Sequence, residues 1–123
     1  MPILCLDFDG VLHSYTSGWL GADVIPDPPV PGYAQFLLRA VEVFEVHTFG
    51  SRSRERGGIE AMREWLSRDS PIDRATIDHL LERIHFPDHK PAAFLSLDDR
   101  ALTFRGAWPD IAELAAFKTW QKG

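Results

Sequence analysis

The sequence predicts an α/β fold: a central parallel sheet with helices on both faces, in three layers. Short apolar runs bounded by glycine or proline alternate along the chain with segments whose apolar residues recur at helical spacing. Strands alternating with helices require crossovers, and crossovers make a parallel sheet. The length of 123 residues suits a single domain, 1–123, with no room for a second.

Ile3, Leu4, Cys5, Leu6 and Phe8 form the first apolar run; bounded by Pro2 and Gly10, it is read as a buried strand, with Cys5 as core. From Gly10 to Pro31 the chain carries Pro26, Pro28, Pro29 and Pro31. That stretch is an irregular loop, of a length that in compact domains usually serves function. Pro31 opens a helix at its first turn, and Tyr33, Phe36, Leu37, Ala40 and Val41 share one apolar face. The second strand is Val43–Phe49, followed by a polar loop from Gly50 to Gly58.

Ile59, Met62, Trp65 and Leu66 mark the inner face of a second helix that ends near Asp69. Ser70 as N-cap, Pro71 in the first turn and Asp73 as an early acid start a third, which carries Ile77, Leu80, Leu81 and Ile84. Ile84–Phe86 is a brief strand, Ala92–Leu97 a fourth strand, and Leu102–Phe104 a short edge strand. Pro109 opens a last helix with Ile111, Leu114 and Phe117. Trp65 and Phe36 read as packing, and Trp19 lines a pocket or pins its loop.

Composition narrows the class. Apolar residues make up 45% and charged ones 25%, which argues against disorder, collagen-like repeats and disulfide scaffolds. Thirteen Lys+Arg against 18 Asp+Glu give a net charge of −5, so no general field draws the chain to nucleic acid or an anionic membrane. A single cysteine excludes an intrachain disulfide and fits a reducing compartment. With neither a signal-peptide pattern nor an apolar run long enough for a bilayer, a cytoplasmic protein without membrane attachment is expected.

Ligands of parallel α/β sheets bind beyond the carboxyl ends of the strands. Asp7 and Asp9 end the first strand, Asp98 and Asp99 end the fourth, and Lys90 precedes it. Clustered carboxylates raise one another's pKa unless a cation relieves them, and oxygen ligands suit Mg²⁺. A metal there attracts phosphate, with Lys90 neutralising further charge. This is the layout of a phosphoryl-transfer centre, where positioning and electrostatics supply most of the catalysis.

Asp7-Phe8-Asp9-Gly10-Val11-Leu12 resembles the first motif of the haloacid dehalogenase superfamily, Lys90-Pro91 its third and Leu97-Asp98-Asp99 its fourth. The order covers nearly the whole chain. The resemblance implies a Rossmann-like fold and a two-step Mg²⁺-dependent phosphohydrolase. Asp7 would be the nucleophile that forms an aspartyl-phosphate, and Asp9 the general acid and base. The metal would be held by the Asp7 carboxylate, the Asp9 backbone carbonyl and Asp98, with Asp99 binding directly or through water. Lys90 would hold Asp7 and the phosphate together. The second motif departs: Gly50-Ser51-Arg52 places glycine where the superfamily has a hydroxyl, and Ser51, Thr48 or the Gly50 N–H is left to take its place.

The intervals that carry cap domains in larger members are about 40 residues each here and already contain core helices, so no cap is expected. An open site goes, in that superfamily, with bulky or macromolecular phosphates, and the chain is also similar to small phosphatase domains of nucleic-acid end repair. The implied substrate is a phosphomonoester, with a macromolecular or polynucleotide end phosphate among the options, and Arg52, Arg54 and Arg56 either contact a polyanion or form a solvated loop. The alternatives are a catalytically weak phosphate-binding module and a signalling receiver domain. The residue order disfavours the receiver, whose phosphoacceptor lies mid-chain. His85 and His89 are four apart, but Pro87 between them breaks any shared helical face, so they are not read as zinc ligands. His13 and Ser14 follow the first motif as substrate contacts or plain loop polars.

Overall fold

Residues 1–68 and 72–122 are described by the computed structural model. In chain order the elements are β1 (Ile3–Leu6), α1 (Tyr33–Val43), β2 (Glu45–Thr48), α2 (Gly58–Arg68), α3 (Arg74–Arg83), β3 (Leu95–Leu97) and α4 (Ile111–Ala115), then a 3₁₀ turn at Trp120–Lys122. The strands form one parallel sheet in the order β2-β1-β3, with Leu6 of β1 opposite Thr48 on one side and Leu97 on the other.

Strand alternation decides what faces the core. Leu4, Leu6 and, past the strand end, Phe8 are buried together with Val46 of β2. Onto this face pack Leu37, Ala40 and Val41 of α1, Met62, Trp65 and Leu66 of α2, and Ile77 and Leu80 of α3, each set at helical spacing. Truncating a fully buried Leu37 or Leu80 to alanine would cost about 2–5 kcal/mol. Asp73 caps α3 by accepting a hydrogen bond from the Thr76 N–H at 2.8 Å. The Ser70 and Pro71 start signals, like the helix end at Asp69, lie outside the described residues.

Several boundaries differ from expectation. Helix α1 runs through Val43, so β2 begins at Glu45. The strand expected at Ile84–Phe86 is a single parallel bridge, in which the His85 N–H donates to the Val46 carbonyl and the Thr48 N–H to the His85 carbonyl. Residues 102–104 form no strand, and Leu102 and Phe104 are exposed, because among the described residues no strand pairs with them. Helix α4 has only five residues, ends before Phe117 and buries none of its side chains. Phe36, expected to pack, is 43% exposed on the flank of α1. Among the described residues no helix is long and apolar enough to cross a membrane.

Candidate functional site

Because the three strands are parallel and in register, their carboxyl ends meet along one edge. The ladder continues one step past β1: Asp7 N–H donates to the Leu97 carbonyl at 3.0 Å and Phe49 N–H to the Leu6 carbonyl at 3.1 Å. This sets Asp7 between the ends of β2 and β3. A cavity of about 460 Å³ opens there, lined by Asp7, Ser51, Lys90 and Asp98, with Arg54 and Arg100 on its walls. Asp7, Asp98 and Asp99 each bring a carboxylate oxygen to within 4.8 Å of the others.

Crowding has an electrostatic consequence. Burial, then the charge of Asp98, then the adjoining Asp99 carboxyl push the Asp7 carboxyl up to about 8. One oxygen of Asp99, Oδ1, is buried without a partner, while its Oδ2 accepts from Gln121 Nε2 at 3.3 Å. A buried acceptor with no donor, beside two further carboxylates, is the environment a hard divalent cation satisfies. The donor set therefore fits Mg²⁺.

Backbone geometry lets these groups approach. Gly10 sits at φ +86°, and a Cβ there would lie 2.1 Å from Asp99 Oδ2, so the turn needs glycine for its angle and its space. The Phe8 carbonyl closes that turn by accepting from the N–H groups of Val11, Leu12 and His13. At Gly50 a Cβ would lie 2.8 Å from Asp7 Oδ1, the oxygen that accepts from the Phe8 N–H. Glycine at position 50 thus makes room for the Asp7 carboxylate.

Of the three residues expected to replace the missing hydroxyl, Gly50 and Ser51 line the cavity and Thr48 does not. Thr48 is fully buried, pairs with Leu6 and faces the helix-covered core, away from Asp7. The Gly50 N–H already donates to Ser53 Oγ at 3.0 Å. Ser51 is exposed and lines the cavity with Asp7 and Lys90. Lys90 is exposed too, and makes no ion pair with a carboxylate among the described residues.

Asp9 stands apart from this group. Its carboxylate is held by Arg52, whose Nε donates to Oδ1 and Oδ2 at 3.1 and 3.0 Å, and by His13 Nδ1 at 2.9 Å. Arg52, expected in a solvated or substrate-facing loop, is instead fully buried. Its Nη1 donates to the carbonyls of Gly21, Ala22 and Val24 at 2.7–3.1 Å, and its guanidinium lies 4.9 Å from the Trp19 ring centroid. Trp19 therefore pins the loop.

His13 is equally buried and touches no solvent. The Asp27 N–H donates to its Nε2 at 3.1 Å, which leaves the proton on Nδ1, directed at Asp9. Trp65 Nε1 donates to the Asp27 carbonyl at 3.0 Å and ties the long loop to α2. Burial alone would raise the Asp27 carboxyl, but hydrogen bonds from Ser17 hold it below its usual value. Arg52, His13 and Asp27 carried no signal of this role in the sequence.

Burial pushes the Cys5 thiol, which lines the cavity, up from its ordinary value, so it stays protonated near neutral pH. At the other end of the chain, Trp120 Nε1 donates to the Gly10 carbonyl at 2.7 Å, bringing the last turn against the loop that follows β1. No family model, curated protein or solved structure matches the chain.

Proposed function

We propose that this chain is a capless member of the haloacid dehalogenase superfamily, with a Rossmann-like fold, that hydrolyses phosphomonoesters with Mg²⁺. The observation that carries this reading is the convergence of Asp7, Asp98 and Asp99: the first two line a cavity with Lys90, and the third carries an unpartnered buried oxygen. The superfamily motif order supports it from the sequence side.

Mg²⁺ would be held by the carboxylates of Asp7 and Asp98 and the Asp9 carbonyl, with Asp99 binding directly or through water. When bound, it would offset the carboxylate charge and polarise the phosphoryl oxygens. An Asp7 oxygen attacks phosphorus, the bond to the leaving oxygen breaks, and Asp9 gives that oxygen a proton. Water then attacks the aspartyl-phosphate, Asp9 takes its proton, and the bond to Asp7 breaks to release phosphate. Lys90 and Ser51 hold the phosphoryl group. Both proton transfers require the Asp9 carboxyl to leave the Arg52 and His13 contacts that hold it in this structure.

Arg54 and Arg100 beside Lys90 favour a substrate with negative charge beyond one phosphate, such as a polynucleotide end, and the single buried thiol suits a reducing cytoplasm. A second reading, a catalytically weak phosphate binder, is favoured by the ties on Asp9 and by glycine at position 50. Hydrolysis of an aryl phosphate separates the two. Turnover that needs Mg²⁺ and falls by orders of magnitude in Asp7→Asn supports the enzyme. Phosphate binding without turnover supports the binder.

A further inference from the structure

A second set of ligand-type side chains meets on the sheet face opposite the helical core. On β2, Val46 faces the core, so Glu45 and His47 project from the other side. His85 joins them because it bridges to His47 in parallel register while its neighbour Ile84 is buried in the core. The two imidazoles stack at 4.6 Å between centroids, 17° from parallel. His47 Nε2 lies 2.8 Å from Glu45 Oε2. One ligand atom from each of the three falls within 4.8 Å of the others.

We propose that Glu45, His47 and His85 form a site for a borderline divalent transition metal of the zinc class. Two imidazoles and one carboxylate are the donors such ions take, whereas Mg²⁺ prefers oxygen alone. Bonds of about 2.0–2.1 Å in a tetrahedron place ligand atoms about 3.3 Å apart. Glu45 and His47 are already nearer than that, and His85, being exposed, closes the rest by turning its ring out of the stack. Water takes the fourth position on the open side.

The site shares no residue with the acidic cavity, although His47 pairs with Cys5, which lines that cavity. Glu45 pairs with Ile3 at the start of β1, whereas Asp7 and Asp98 follow the strand ends. His47 and His85 are far apart in sequence, and among the described residues the only regular pairing of the 84–86 segment is the single bridge at His85. A bound metal would clip that segment to β2.

The test is a Co²⁺ titration of the chelator-stripped full chain in saturating Mg²⁺, read by visible absorption. One equivalent should bind with the intense bands of a low-coordinate nitrogen-containing site, and Zn²⁺ should bleach them. His85→Ala and Glu45→Gln should each weaken binding by about tenfold or more, and Asp98→Asn should leave it unchanged. No such bands in the wild type, bands within twofold of wild-type affinity in His85→Ala, or bands lost in Asp98→Asn would each overturn the proposal. Where His85→Ala loses the wild-type circular dichroism, Glu45→Gln decides by the same criterion.

Discussion

Replacing Gly50 by alanine tests how closely the Asp7 carboxylate is fitted to its surroundings. The added Cβ would stand 2.8 Å from Asp7 Oδ1, with Phe8 N next at 3.7 Å. An ordinary carbon–oxygen contact needs about 3.4 Å, so the oxygen must retreat by roughly 0.6 Å or leave the Phe8 N–H that it accepts from. Displacing a reacting atom by about 1 Å costs on the order of 10²-fold in rate. The stability change is smaller: losing the Phe8 bond costs about 1–2 kcal/mol, and a less flexible unfolded chain returns about 0.4–1 kcal/mol. Gly50→Ala should therefore unfold in urea close to the wild type yet hydrolyse an aryl phosphate about 10²-fold more slowly. Gly50→Ser carries the same Cβ and should also be impaired. Turnover within threefold of wild type in Gly50→Ala, or a gain in Gly50→Ser, would refute the steric argument.

Arg52→Lys keeps the charge but cannot reach both Asp9 and the three loop carbonyls, so it should destabilise by about 3–5 kcal/mol in urea, the cost of breaking a buried pair. Stability within 1 kcal/mol of wild type would show that the buried guanidinium does not hold the loop. For Asp7, whose carboxyl is raised to about 8, the folded chain keeps a proton that the unfolded chain loses near 4. In chelator this group lowers stability as pH climbs through that window, and the decline ends above about 8. Asp98→Asn removes the largest charge acting on Asp7, so in chelator at pH 8 it should melt above the wild type while losing activity. A lower melting temperature would contradict this. Mg²⁺ must displace the same proton, so its affinity, followed by calorimetry, should rise with pH up to about 8; a flat profile would count against Asp7 as a ligand.

Much of the fold was legible in the chain because its signals are periodic and local. Leu4, Leu6 and Phe8 alternate, and Met62, Trp65 and Leu66 recur at helical spacing; both patterns match the buried faces. The grouping of Asp7, Ser51, Lys90 and Asp98 was legible for a topological reason, since ends of parallel strands share one edge. What escaped depends on partners distant in sequence. Arg52 lies in a loop of serines and arginines and looks solvated, because arginine is rarely fully buried unless paired; its partners are Asp9 and carbonyls about 30 residues away. His13 was ambiguous for the same reason. Leu102–Phe104 and the last helix failed in the other direction: their apolar patterns exist, but among the described residues no surface covers them.

The most direct measurement is the mass of the peptide containing Asp7 after acid quench of a single turnover with excess enzyme and Mg²⁺. If Asp7 is the nucleophile, that peptide gains the mass of one phosphoryl group, the gain is lost on hydroxylamine treatment, and it is absent in Asp7→Asn and in chelator. Full turnover with no phosphorylated Asp7 peptide, or with the label on another residue, would contradict the assignment.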